Sequence, residues 1–207
     1  MGTAKKQHRK LKEEIFIIGE GITEQYYFSH LKFLKQYKCV VKPRFFGKTS
    51  LDEIDKTAQK LLSGGVTVVC VFDTDVSERD EVEKEKLKNF IRKYKNDRDI
   101  IICDSLPSIE YWFLLHFVKI NKSFKDAKEV IKELKQAASK NEKSMANNRN
   151  PFKNYEKTKK YLENSGWVKF LIQNQSKAFE YAKSLGQKEG HSYTNIYKAF
   201  DFLTYNT

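Results

Sequence analysis

Three acidic motifs stand apart from the rest of the chain's 27 Asp and Glu residues because of what surrounds them. Glu20 follows Phe16-Ile17-Ile18-Gly19 and precedes Gly21. Asp73 and Asp75 follow Val69-Cys70-Val71-Phe72. Glu110 is set between Ile109 and Tyr111-Trp112-Phe113. The first two motifs come directly after short apolar runs, which places them at the C-terminal ends of buried strands. In an open α/β sheet that edge is where ligands bind. Carboxylates gathered there repel one another unless a cation joins them. A hard divalent ion such as Mg²⁺ or Mn²⁺ takes oxygen ligands and suits the task.

Each motif also has a structural reading. Asp73 can close a turn on its own backbone while Asp75 caps the next helix. The apolar run before them, and a second acidic motif at another strand end, favour the metal reading. Gly21 lets the chain turn sharply and leaves Glu20 at the sheet edge. Glu24 comes one helical turn later. It serves equally as a ligand or as a first-turn carboxylate stabilised by the helix dipole. Glu110 has the same two readings, but an unpaired carboxylate among aromatic neighbours is costly to bury. The candidate metal set is therefore Glu20, Glu24, Asp73, Asp75 and Glu110.

The elements that must position these groups are legible from apolar periodicity. Residues 14–19, 39–46, 66–72 and 99–103 read as strands. A helix follows Thr23, which can cap it, with Tyr26, Phe28, Leu31 and Leu34 on one side. Ser50 or Asp52 opens a second helix that Gly64-Gly65 ends. Residues 78–94 form a charged helix whose narrow apolar stripe is Val82, Leu87, Phe90 and Ile91. Ser108 can cap an almost wholly apolar helix, Ile109–Val118, which should be buried. Strands alternating with helices imply right-handed βαβ units and an open, mostly parallel sheet. Beyond about residue 120 the pattern turns helical, over 123–138, 154–163, 168–185 and 192–205, with an Asn-, Lys- and Ser-rich loop over 137–153. The expected organisation is a basic tail at 1–13, an α/β core at 14–120 and a helical region at 121–207 packed on it.

A net charge of +12 and a pI near 9.4 point to an acidic partner, most simply nucleic acid. Lys5, Lys6, Arg9 and Lys10 of the tail could bind phosphates, or the tail could be a solvated surface. Lys48, after the second strand, could also reach a phosphate. Cys39, Cys70 and Cys103 lie in or beside strand-like runs, without Cys-x-x-Cys spacing. They read as reduced, buried thiols in a cytoplasmic protein. No His/Cys spacing suggests zinc, and no Walker-type loop suggests an NTPase. No apolar run approaches the ~20 residues needed to cross a bilayer.

Glu20-Gly21-x-Thr23-Glu24 with Tyr27-Phe28, the Asp73-x-Asp75 pair, and Pro107-Ser108-x-Glu110-x-Trp112-x-Leu114-Leu115-His116-Phe117 together resemble the RloB-like proteins. The basic lead-in and the helix start Ser192-Tyr193-Thr194-Asn195 fit as well. The resemblance implies a Toprim/Rossmann-like fold with a helical C-terminal extension, shared with topoisomerases, primases and the OLD-family nucleases. It implies Mg²⁺ held by Asp73 and Asp75, with Glu20 in acid/base chemistry or on a second metal and Glu24 as a further ligand. It also implies a role in bacterial anti-phage defence, often with a neighbouring ATPase as partner. Two positions depart from the family pattern. Gly19 stands where a bulkier residue is common, and Ile109 where an aromatic is usual. Neither departure removes a carboxylate.

The leading expectation is a metal-dependent nuclease acting on DNA or RNA. Two others stand beside it. One is a basic nucleic-acid-binding or regulatory subunit without catalysis. The other is a haloacid-dehalogenase-type phosphatase with Asp73 as nucleophile, since Phe72-Asp73-Thr74-Asp75-Val76 resembles that family's first motif.

Overall fold

A computed structural model describes residues 14–42, 49–75, 80–141 and 150–204. Lys5, Lys6, Arg9, Lys10 and Lys48 lie outside the described residues. So do the end of the expected second strand and the middle of the Asn-rich loop, residues 142–149.

Five strands form one sheet in the order β2-β1-β3-β4-β5. They are β1 (Ile15–Gly19), β2 (Cys39–Lys42), β3 (Thr67–Asp73), β4 (Ile100–Leu106) and β5 (Tyr193–Thr194). β1 pairs in parallel with β2 and β3, and β3 with β4, while β5 runs antiparallel to β4. The Toprim/Rossmann-like expectation therefore holds: a mostly parallel five-stranded sheet flanked by helices, with more helices from the C-terminal half. β3 is buried from Thr67 to Phe72 because parallel neighbours and helices cover it on every side.

Successive side chains on a strand point to opposite faces. Ile15, Ile17, Val69, Val71, Ile101 and Cys103 thus face one core, and Ile18, Val68, Cys70, Phe72 and Ile100 the other. The second face is covered by α2 (Leu51–Leu62) and α3 (Glu81–Tyr94) through Ile54, Ala58, Phe90 and Tyr94. The first face carries α1 (Ile22–Lys35), α4 (Glu110–Leu115) and α5 (Ala127–Asn141). The same face carries α7 (Gly166–Gln173), α8 (Gln175–Leu185) and α9 (Tyr197–Leu203), and the four-residue α6 (Lys159–Leu162) adds Leu162. Aromatic residues fill that core. Trp112 donates its indole N–H to the Tyr27 hydroxyl at 2.7 Å, which ties α4 to α1. The three cysteines are free and buried. Among the described residues no helix is long and apolar enough to cross a membrane.

Local chemistry explains several departures from the expected elements. Ser50 caps α2 as expected, in a reciprocal capping box with Glu53. Thr23 does not cap α1: Gly21 is the N-cap, and Glu24 reaches back to its N–H at 2.8 Å. Ser108 does not cap α4 either, because its hydroxyl donates to the Glu110 carboxylate at 2.7 Å. On α3, Phe90 of the expected stripe is buried and Leu87 packs against the core, but Val82 is 64% exposed and Ile91 37%, and Tyr94 is buried in their place.

The C-terminal half departs more. The segment read as one helix over 154–163 breaks after the 3₁₀ turn Pro151–Asn154 and resumes as α6, leaving Tyr155 and Lys157 on a connecting stretch. The segment over 168–185 is two helices that meet at Asn174. The segment over 192–205 begins as strand β5. That strand forms because Asp104 accepts from the Tyr193 hydroxyl, the Asn195 side chain and the Asn195 backbone N–H, at 2.7–2.8 Å.

Candidate functional site

The parallel register brings the C-terminal ends of β1 and β3 side by side, with Gly19 opposite Val71. The chain turns there into α1 on one strand and into Asp73-Thr74-Asp75 on the other. A cleft of about 270 Å³ opens at this edge, lined by Glu20, Glu24, Asp73, Asp75, Lys157 and Ala127 among others. Four of the five sequence-derived acidic candidates therefore line one cavity. The fifth, Glu110, is fully buried directly behind it.

Hydrogen bonds fix how each carboxylate is held. Glu20 Oε2 accepts from the Asp73 N–H at 2.8 Å, across the two strand ends. Glu24 Oε2 accepts from the Gly21 N–H. Asp73 Oδ1 accepts from the Ile109 N–H at 2.8 Å, which ties β3 to the start of α4. Glu110 is saturated: Oε2 takes the Ser108 hydroxyl, and Oε1 takes the Tyr155 hydroxyl at 2.7 Å and the Lys157 ammonium at 3.0 Å. Glu110 is thus the anchor for Lys157, and its oxygens are already engaged.

The two departures from the family pattern have local causes. A Cβ at Gly19 would lie 2.8 Å from the Glu24 Cβ, so glycine is what lets α1 bring Glu24 this close to β1. Ile109 is buried and serves Asp73 through its backbone N–H, a contact that does not depend on the side chain.

The electrostatics of the cleft are dominated by burial and like charge. Burial pushes the Glu24 carboxyl up to about 7, and neighbouring Glu110 and Glu20 add to the rise. Its own backbone bond and Lys157 hold the shift back. Asp73 is pushed well above the usual carboxylate range, first by burial and then by Glu24, Glu110 and Glu20. For Lys157, burial works against the ammonium, but Glu110, Asp73 and Glu24 outweigh it and hold the charge in place.

This donor set fits a hard divalent cation by its chemistry: acidic oxygens, desolvated, with mutual repulsion that a cation would relieve. Among the described residues, however, no three His, Cys, Asp or Glu side chains are arranged as a finished cage. Glu20, Glu24, Asp73 and Asp75 are the residues that could hold such an ion, and they would have to close on it.

Lys157, Tyr155 and the role of Ser108 were not legible in the sequence. Lys157 is one of 39 Lys and Arg residues and stands in no motif, so its type gave no signal. Only the fold carries it from the C-terminal half to Glu110.

No curated protein and no solved structure matches the chain. The family model described as RloB-like protein matches residues 15–203, a span that holds both strand-end motifs, the Glu110 helix and Lys157. With that span covering most of its length, the chain belongs to the RloB-like protein family.

Proposed function

We propose that this protein is a metal-dependent nuclease that hydrolyses phosphodiester bonds of DNA or RNA, in the setting of bacterial anti-phage defence. One observation carries the reading: carboxylates from two neighbouring strand ends and the first turn of α1 line a single cleft, with a fixed ammonium among them. Glu20, Glu24, Asp73 and Asp75 would hold Mg²⁺ or Mn²⁺. When bound, the ion would neutralise the scissile phosphate and lower the pKa of a water. Lys157, held by Glu110, places a positive charge where a phosphate oxygen would enter. Glu20, which lines the cleft, would act as general base or as a further metal ligand. The net charge of +12 supplies long-range attraction for the polyanion. A neighbouring ATPase as partner belongs to the same reading.

A second reading has an observation in its favour. Glu20, Glu24 and Asp73 each give one oxygen to a backbone N–H, as purely structural carboxylates do. A nucleic-acid-binding or regulatory subunit without catalysis would look the same in this respect. The phosphatase reading is weaker. It needs an acidic pair at a further strand end, and the acid on β4, Asp104, is locked to Tyr193 and Asn195.

The test is cleavage of plasmid DNA, single-stranded DNA and total tRNA in Mg²⁺, Mn²⁺ or EDTA, by wild type and Asp73→Ala. Metal-dependent cutting that the variant loses supports the nuclease and names its substrate class. Mn²⁺ binding without cutting supports the non-catalytic subunit. Absence of both cutting and Mn²⁺ binding sinks the metal reading.

A further inference from the structure

A cavity of about 690 Å³ lies away from the acidic cleft, along the outer edge of β4. Its floor is strand edge. Val68 donates to the Asp99 carbonyl and Thr74 to the Ser105 carbonyl. In a parallel ladder the odd-numbered residues of β4 therefore turn both backbone groups toward β3. Ile100, Ile102 and Asp104 turn theirs outward. β5 pairs only with Ser105 and Leu106, and Asn195 takes the Asp104 carbonyl. Among the described residues no backbone hydrogen bond reaches Ile100 or Ile102 from the outer side. An open edge of this kind is a template for another strand.

The walls of this groove are α3 on one face of the sheet and α9 on the other. Each wall contributes an exposed apolar residue, Ile91 and Phe202, both 37% exposed. The charges along the groove balance: Lys95, Arg98 and Lys198 against Asp97, Asp104 and Asp201. Elsewhere a net charge of +12 makes two copies of this chain repel. Here a second copy meets both signs.

We propose that the outer edge of β4 is a self-association surface on which a second copy of this chain docks. The pairing is antiparallel about a twofold axis at Ile101, which sets Ile100 opposite Ile102 of the partner subunit. Outward-facing residues that pair directly exchange both backbone hydrogen bonds, so the two equivalent pairs satisfy the open groups of both copies. A twofold axis normal to the sheet sets α3 against its own copy on one face and α9 against its own copy on the other. Ile91 and Phe202 then become covered. Two five-stranded sheets join into one, with an acidic cleft in each copy. The proposal is independent of the nuclease reading.

Sedimentation velocity over a concentration series tests it, on the full chain and on two kinds of variant. Phe202→Glu and Ile91→Glu change exposed wall residues and leave the core intact. Ile102→Pro removes an outward N–H without touching the ladder to β3; should it fail to fold, the wall variants decide. The expected result is a dimer whose dissociation constant rises at least about tenfold in each folded variant, with unchanged far-UV circular dichroism. A chain that is monomeric up to about 100 µM, or a dimer indifferent to the wall variants, overturns the proposal.

Discussion

Asp73 and Asp104 are neighbours on adjacent parallel strands, with Phe72 opposite Asp104 and Asp73 opposite Ser105. Their surroundings are opposite in kind. Asp104 is 3% exposed and is met by neutral donors, the Tyr193 hydroxyl on one oxygen and the Asn195 amide on the other. It is a lock that fastens β5 to the sheet. Asp73 receives one backbone N–H and faces Glu24, Glu110 and Glu20, with Lys157 as partial compensation. A buried carboxylate given enough neutral donors stabilises a fold. One crowded by its own kind is held by the rest of the structure at a cost, and such crowding is concentrated at functional sites. One residue of register separates the two outcomes.

The comparison is most exposed to cleavage kinetics. Asp73→Ala should lower metal-dependent cleavage by about 10³-fold or more if Asp73 is a ligand, a loss of about 4 kcal/mol in transition-state stabilisation. A rate within tenfold of wild type would remove Asp73 from the chemistry.

Burial lowers the His116 imidazole from its ordinary 6.5 to about 4. The unfolded chain then binds the proton first, so His116 alone makes stability rise with pH between about 4 and 6.5, by about 3 kcal/mol in all. Glu24 acts with the opposite sign. Its carboxyl is raised from 4.5 to about 7, so its contribution is complete below 4.5 and is lost as pH climbs to 7, again by about 3 kcal/mol. Asp73, also raised, acts in the same direction as Glu24. In EDTA, wild-type stability should not increase between pH 4.5 and 6.5. The double variant Glu24→Gln, Asp73→Asn should show the His116 rise. Urea unfolding across that range measures both, and parallel curves for the two proteins would falsify the assignment.

Lys157→Gln sharpens the role of the one cation among the influences on Asp73. It should slow cleavage by about 10²-fold, as loss of a preorganised charge at a developing phosphate does. A change confined to KM would recast Lys157 as a binding residue only.

The two aspartates should then part in sign when neutralised. Asp104→Ala leaves Tyr193 and Asn195 without their acceptor and should cost about 2 kcal/mol. Asp73→Asn keeps an oxygen for the Ile109 N–H and relieves repulsion, so it should raise metal-free stability by about 1 kcal/mol. Chemical denaturation in EDTA reads both. Destabilisation by both substitutions would show that the cleft carboxylates are structural.

By itself the sequence determined the four parallel strands and the strand-end acids. Apolar runs of strand length, separated by helical periods, leave few alternatives to a parallel α/β sheet, and the residue after each run is bound to emerge at its C-terminal edge. Glu20, Asp73 and Asp75 could be placed that way because the information is local. The interruption at Tyr155 to Thr158, the start of β5 at Tyr193 and the seat of Lys157 could not. Helix period and charge alone favoured continuous helices over 154–163 and 192–205. Glu110 overrides that preference by drawing in Tyr155 and Lys157 from 45 residues away and beyond, and Asp104 does so from 89 and 91 residues away, through Tyr193 and Asn195. Only the tertiary structure decided which buried carboxylate would be satisfied and which left crowded. That depends on which partners the fold brings to each oxygen, and for Asp104 and for Oε1 of Glu110 those partners come from the C-terminal half of the sequence.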